Sequence, residues 1–254
     1  MDLISALILG AVEGVTEFLP VSSTAHLILI GEWMGVASSG FVKSFEIAIQ
    51  LGAILAVAAL YGRNLLSRRR IWKKILAAFF PTAVLGFVFY KVIKKYLMVN
   101  DDLILLSLFG GGAFLVLFEW LHKEKASGET SIEEVSYPKA VAIGVFQSLA
   151  MVPGVSRAMA TILGGQLIGI KRKTAVEFSF LLALPTMLAA TALDLLKSAH
   201  EFSAGEFALL GAGFLASFVV ALFTVKFLIA FVKNHSLLFF GFYRMAAALF
   251  FWLI

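Results

Sequence analysis

The sequence predicts an all-α polytopic membrane protein, with six transmembrane helices and two re-entrant helical hairpins in one integral domain, 1–254. Three observations predict it. First, 61% of the residues are apolar and only 15% charged, with a mean hydropathy of +0.96. A soluble domain carries about 25% charged residues and could not bury so much apolar surface. Second, six apolar stretches fall at roughly 45–62, 75–98, 103–121, 176–196, 207–232 and 237–254. Each reaches or nearly reaches the ~20 residues that cross about 30 Å of hydrocarbon. Their unbroken character excludes barrel strands, which alternate with a period of two. Third, two further apolar segments, 3–33 and 139–170, are each broken in the middle by proline and small polar residues.

Met1-Asp2-Leu3 lacks the basic start of a signal peptide, so segment 3–33 reads as structure. Its break is Pro20-Val21-Ser22-Ser23-Thr24, and each half has at most about 16 residues, roughly 24 Å of helix. That suits a helix that enters and leaves on one face, which needs protein or water around the broken backbone. Three spans follow, the second containing Pro81. Residues 123–138 form a polar loop with no sign of a separate domain. The second hairpin breaks at Pro153-Gly154-Val155-Ser156-Arg157, and three spans follow it, the first containing Pro185. Both prolines are expected to kink their spans. The 25 phenylalanines supply lipid-facing and packing surface, and some could line a lipid-tail groove.

The two broken segments resemble each other. Gly10-x-x-Glu13 before Pro20 can be laid over Gly144-x-x-Gln147 before Pro153, and Ser23 then falls on Ser156. The expectation is an internal repeat, about 1–122 and 139–254, of one hairpin plus three spans. Three spans are an odd number, so the second copy is inverted, an architecture familiar from secondary transporters. Five Lys and Arg fall on the side to which the first hairpin opens and fourteen on the other. The basic excess marks the cytoplasmic face, so both termini and the first hairpin's mouth are expected outside the plasma membrane. The net charge of +5 is thereby spent on topology, and nucleic acid is not an expected partner. With no cysteine, disulfides and thiolate chemistry are excluded.

The few charges inside the apolar segments need a reason, because each costs about 2.5–3.5 kcal/mol near the bilayer centre. Glu13 and Glu17 share one helix face. They form either a proton-sharing structural pair or a divalent-cation site of hard oxygen ligands, Mg²⁺ or Ca²⁺. Ser22, Ser23 and Thr24 offer hydroxyls and an N-cap for the returning half-helix, whose free N–H groups attract anions. His26 can share a face with Ser23, for acid–base or nucleophilic work or for a helix–helix hydrogen bond. In the second break, Gly154 lets backbone approach an anion, Ser156 can cap, Arg157 offers a planar fork for phosphate, and Thr161 follows on the same face. Carboxylates would repel bare phosphate, so this constellation points to cation-assisted phosphoryl transfer. Arg244 either touches the site or pairs with a buried acid. Glu46, Gln50 and Glu177 read as helix-end residues, Asp194 and Glu119 as interfacial, and His122, His200 and His235 as loop or border residues.

At these segments the sequence resembles the undecaprenyl-diphosphatase family of bacitracin-resistance lipid phosphatases. Glu13-Gly14-Val15-Thr16-Glu17-Phe18-Leu19-Pro20-Val21-Ser22-Ser23-Thr24-Ala25-His26 is similar to its first signature, and Pro153-Gly154-Val155-Ser156-Arg157 with Thr161 to its second. Glu177-Phe178-Ser179-Phe180-Leu181-Leu182 and Tyr243-Arg244 are also similar. Ala158 departs from the family's usual serine. The resemblance implies hydrolysis of a polyprenyl diphosphate to the monophosphate and inorganic phosphate, recycling the lipid carrier of cell-wall glycans. It implies that Glu13 and Glu17 hold the cation and that Glu17 also helps catalysis. Ser23 or His26 would supply the nucleophile or its proton handling, and Arg157 would clamp phosphate. Ser22, Thr24, Gly154, Ser156 and Thr161 would be supporting phosphate contacts. The expected partners are the polyprenyl diphosphate, membrane lipids and, as one candidate assembly, a second copy in a homodimer. A lipid-phosphate flippase or transporter with an inverted-repeat fold is the competing function.

Overall fold

The computed structural model describes residues 1–37, 39–65, 68–92, 101–124, 127–198 and 202–253. Lys94, Lys95, Lys125, His200 and the end of the second expected span, 93–98, lie outside the described residues. The first hairpin is α1 (Leu3–Thr16) and α2 (Ser23–Trp33), followed by α3 (Gly40–Leu65), α4 (Arg69–Val92) and α5 (Asp101–Leu121). The second is α6 (Tyr137–Gln147) and α7 (Arg157–Leu167), followed by α8 (Arg172–Ser198), α9 (Ala204–Phe231) and α10 (Leu238–Leu253). Helices α3, α4, α5, α8 and α9 are long and apolar enough to cross a membrane; α10, at 16 residues, is shorter. Helices α4 and α8 run on through Pro81 and Pro185. The chain is a multi-pass membrane protein by these apolar helices.

The hairpins cross over between the halves. Helix α1 lies along α9, and α6 lies along α4, while α3 meets α8 and α5 meets α10. Both crossovers need backbone-to-backbone contact. A Cβ on Gly10 would sit 2.3 Å from the Gly213 carbonyl oxygen, and one on Gly144 would sit 1.9 Å from that of Ala78. Small residues at helix crossings are how membrane helices gain packing without a hydrophobic drive. Gly144→Ala therefore forces α6 off α4. Overpacking of this kind costs about 1–3 kcal/mol, so the melting temperature in detergent is expected to fall by several degrees. An unchanged Tm would contradict the seating of α6 on α4.

The polar loop is more than a linker. Ile132 and Val135 are buried, and the Lys74 ammonium donates to the Glu133 carbonyl at 2.5 Å. Ion pairs join Arg68 to Glu133 and Lys139 to Glu129. Arg172 at the start of α8 pairs with Glu119 at the end of α5, 2.8 Å. Ile132 and Val135 join the main apolar core, while the Lys74 and Lys139 contacts tie the loop to the starts of α4 and α6.

Candidate active site

The two breaks meet, and Glu17 is where they join. It lies one residue beyond α1, 5% exposed, and still has helical dihedrals. Ser23, at the first turn of α2, donates its hydroxyl to Glu17 Oε2 at 2.5 Å. Arg157, at the first turn of α7, donates from Nη2 and Nε to Glu17 Oε1 at 3.0 and 3.2 Å. Arg157 Nη1 also donates to the Ser179 carbonyl at 3.0 Å. Its fork thus grips protein groups on two helices and keeps N–H capacity for a ligand. A cavity of about 170 Å³ opens beside this pair. Glu17, Ser22, Ser23, Thr24, Ser156 and Arg157 line one part of it, and Gln50, Thr82, Gln147 and Thr186 another.

Thr161 and Gly154 stand back from the cavity. Thr161 is fully buried behind Arg157, where its hydroxyl donates to Ser179 Oγ at 2.6 Å. Gly154 has φ +91°, but it faces α5: a Cβ there would lie 2.5 Å from the Ile104 carbonyl oxygen. Its positive φ serves helix contact rather than approach to an anion. Ser156 caps α7, accepting from the Met159 N–H at 3.2 Å. Ser22 occupies the corresponding place before α2 but makes no side-chain cap, because its backbone is left-handed, φ 74° and ψ 88°.

Glu13 lies one turn before Glu17, fully buried, with both carboxylate oxygens lacking a hydrogen-bond partner among the described residues. Glu17, Arg157 and Glu46 lie within its electrostatic reach. Its carboxyl group stands close enough to that of Glu17 to share a proton with it, and the same oxygens are hard donors of the kind a divalent cation takes. Among the described residues no group of three or more His, Asp or Glu side chains could hold a metal ion. A cation here would take its remaining ligands from substrate oxygens or water.

Among the described residues Arg244 neither lines the cavity nor pairs with an acid. It is fully buried and donates to four backbone carbonyls: Pro20 at 3.1 Å, Gly154 at 2.9 Å, and Ser107 and Leu108 on α5 at 3.1 and 3.2 Å. One guanidinium therefore pins both breaks to α5.

Residues 6–250 match the family described as bacitracin resistance protein BacA. The chain belongs to this family. Among curated relatives, the undecaprenyl-diphosphatase of Aquifex aeolicus is 52% identical over 96% of this chain and 95% of its own length. Those of Thermus thermophilus and Wolinella succinogenes are 51% and 49% identical, over 96% and 99% of this chain and 94% and 97% of theirs. In this BacA-family chain the motif residues form one half of the cavity wall. The other half escaped sequence reading. Gln147 Nε2 donates to Thr82 Oγ1 at 2.9 Å and to Thr186 Oγ1 at 3.2 Å. Each threonine directly follows a span proline, and Gln147 is the residue laid over Glu13. Gln50, read as a helix-end residue, stands one turn after Glu46 and reaches the cavity. Those positions were the available signal.

Proposed function

We propose that this chain is a membrane phosphatase hydrolysing a polyprenyl diphosphate, undecaprenyl diphosphate in its relatives' names, to the monophosphate and inorganic phosphate. The recycled monophosphate is the lipid carrier of cell-wall glycans. The contact that carries the reading is Ser23 Oγ on Glu17 Oε2, on the wall of the cavity and next to a guanidinium. A hydroxyl on a carboxylate is an activated nucleophile beside its base. Ser23 Oγ would attack the terminal phosphorus as its proton passes to Glu17, and the prenyl monophosphate would leave. Glu17 would hand that proton to the departing monophosphate; water would then attack the phosphoserine, Glu17 taking the water's proton and passing it to Ser23 Oγ as inorganic phosphate and free Ser23 are released. Arg157 would offer its one remaining Nη2 N–H to a phosphoryl oxygen, and Ser22, Thr24 and Ser156 their hydroxyls. Glu13 and Glu17 would hold a divalent cation, Mg²⁺ or Ca²⁺, which when bound offsets phosphate charge. The cavity mouth and both termini would face outward, on the side poor in Lys and Arg.

Phosphate release from a polyprenyl diphosphate in detergent is the test, run with and without EDTA. Release that EDTA abolishes and Mg²⁺ or Ca²⁺ restores is expected. No release with either ion present rejects the phosphatase and leaves the flippase, whose signature is lipid movement in sealed vesicles without phosphate release. Arg157→Lys is expected to lower kcat/KM by about 10²-fold or more, since a point charge cannot keep the fork on Glu17 and also reach phosphate. A near-normal kcat/KM would argue against that clamp.

A further inference from the structure

We propose that Tyr243 is a positioning residue for the phosphate-facing turn, acting through His26 to hold Ser22 in its left-handed conformation. This rests on the phosphatase reading of the cavity.

Ser22 lines the cavity and is the sole non-glycine with positive φ among the described residues. Such a backbone costs about 1–3 kcal/mol and persists only where neighbours hold it. Its carbonyl accepts from the His26 backbone N–H at 3.3 Å and, more closely, from the His26 ring, whose Nδ1 stands 2.8 Å from Ser22 O. A carbonyl only accepts, so Nδ1 must carry a proton. The other nitrogen, Nε2, stands 2.8 Å from the Tyr243 hydroxyl. The ring is 3% exposed, and among the described residues no carboxylate bonds to it. In the neutral ring Nε2 is then an acceptor, and the tyrosine hydroxyl donates to it. Tyr243 thus selects the tautomer that can hold Ser22. Without its hydroxyl the proton can move to Nε2, leaving Nδ1 an acceptor facing an acceptor.

Two features set this chain of contacts apart from mere packing. His26 is not on the cavity wall, whereas Ser22 and Ser23 are, so His26 acts on phosphate only through the turn. And Tyr243 precedes Arg244, which grips Pro20 at the other end of the same turn. Adjacent residues of α10 therefore fix the backbone on both sides of Val21. With one nitrogen on Ser22 and the other on Tyr243, His26 has no lone pair to offer phosphorus.

The test is Tyr243→Phe, which keeps the ring and removes one hydroxyl. Phosphate release is expected to show kcat lowered about tenfold with KM changed less than twofold and Tm within a few degrees of wild type. His26→Asn supplies an amide donor to Ser22 that needs no tautomer. It is expected to retain more activity than His26→Gln, and adding Tyr243→Phe to it should cost nothing more. A tenfold loss from Tyr243→Phe in the His26→Asn background overturns the proposal, as does an unchanged kcat in the single variant. Nitrogen-15 NMR of labelled histidine reads the tautomer without any assay, with the His26 signal assigned by its loss in His26→Asn. Wild type should show protonated Nδ1 and Tyr243→Phe a shift towards protonated Nε2. A wild-type ring protonated at Nε2 sinks the inference even in an active enzyme. The expected shift in a protein that releases no phosphate would instead reject only the phosphatase reading.

Discussion

Ser23→Ala is expected to lower phosphate release by roughly 10³-fold or more, the scale of losing an activated nucleophile, while the protein stays folded. Among the described residues its hydroxyl bonds to one group, Glu17 Oε2, at 2.5 Å. Glu17 lines the cavity, so water can replace that hydroxyl, and the stability cost should be about 1 kcal/mol. The measurement is turnover alongside Tm in the same detergent. A loss of only about tenfold would mean that water attacks directly and Ser23 merely orients it. Trapping phosphate on wild type but not on Ser23→Ala would settle the covalent step. Glu17→Gln is the poorer probe. Glu17 is the buried counter-ion of Arg157. Removing one partner of such a pair costs about 3–5 kcal/mol, so lost activity would be confounded by lost fold.

Arg244→Met is expected to destabilise by about 3–5 kcal/mol and to abolish activity with it. Pro20 and Gly154 each lose a donor, and an unpaired buried carbonyl costs about 1–3 kcal/mol; the remaining loss is the packing around the largest fully buried side chain. Arg244→Lys should regain part of the stability but little activity, because one ammonium cannot span carbonyls on both breaks and on α5. A variant melting like wild type would show that the breaks are positioned by something else.

How much of this was legible beforehand depended on distance along the chain. The long spans and both breaks were, because a run of apolar residues or a Pro-Val-Ser-Ser-Thr interruption carries its meaning locally. Glu17, Ser23 and Arg157 were also readable as candidates, since each is a costly or reactive group at a break. Their partners were not. Arg244 invites an acid, and the structure gives it four carbonyls, because broken helices free carbonyls in place of carboxylates. Thr161 has the spacing of a phosphate contact, but α7 turns it away onto Ser179. His26 shares a helix with Ser23, but its ring is committed to Ser22 and Tyr243. Gln147 looked inert in the letters and proved to be a cavity wall. In each case the deciding atom lies on a remote helix or in the backbone, where side-chain patterns carry no information.

The crossing of α1 onto α9 sets an order of manufacture. The first hairpin leaves the ribosome early, but its seat around Gly213 is made some two hundred residues later. Until then the face of α1 that carries Gly10 and Gly14 has no final partner, and Pro20 waits longer still for Arg244 on α10. The reaction centre is therefore among the last parts of the molecule to close, and a chain cut short before α9 would carry every residue of the first motif without a place to put it.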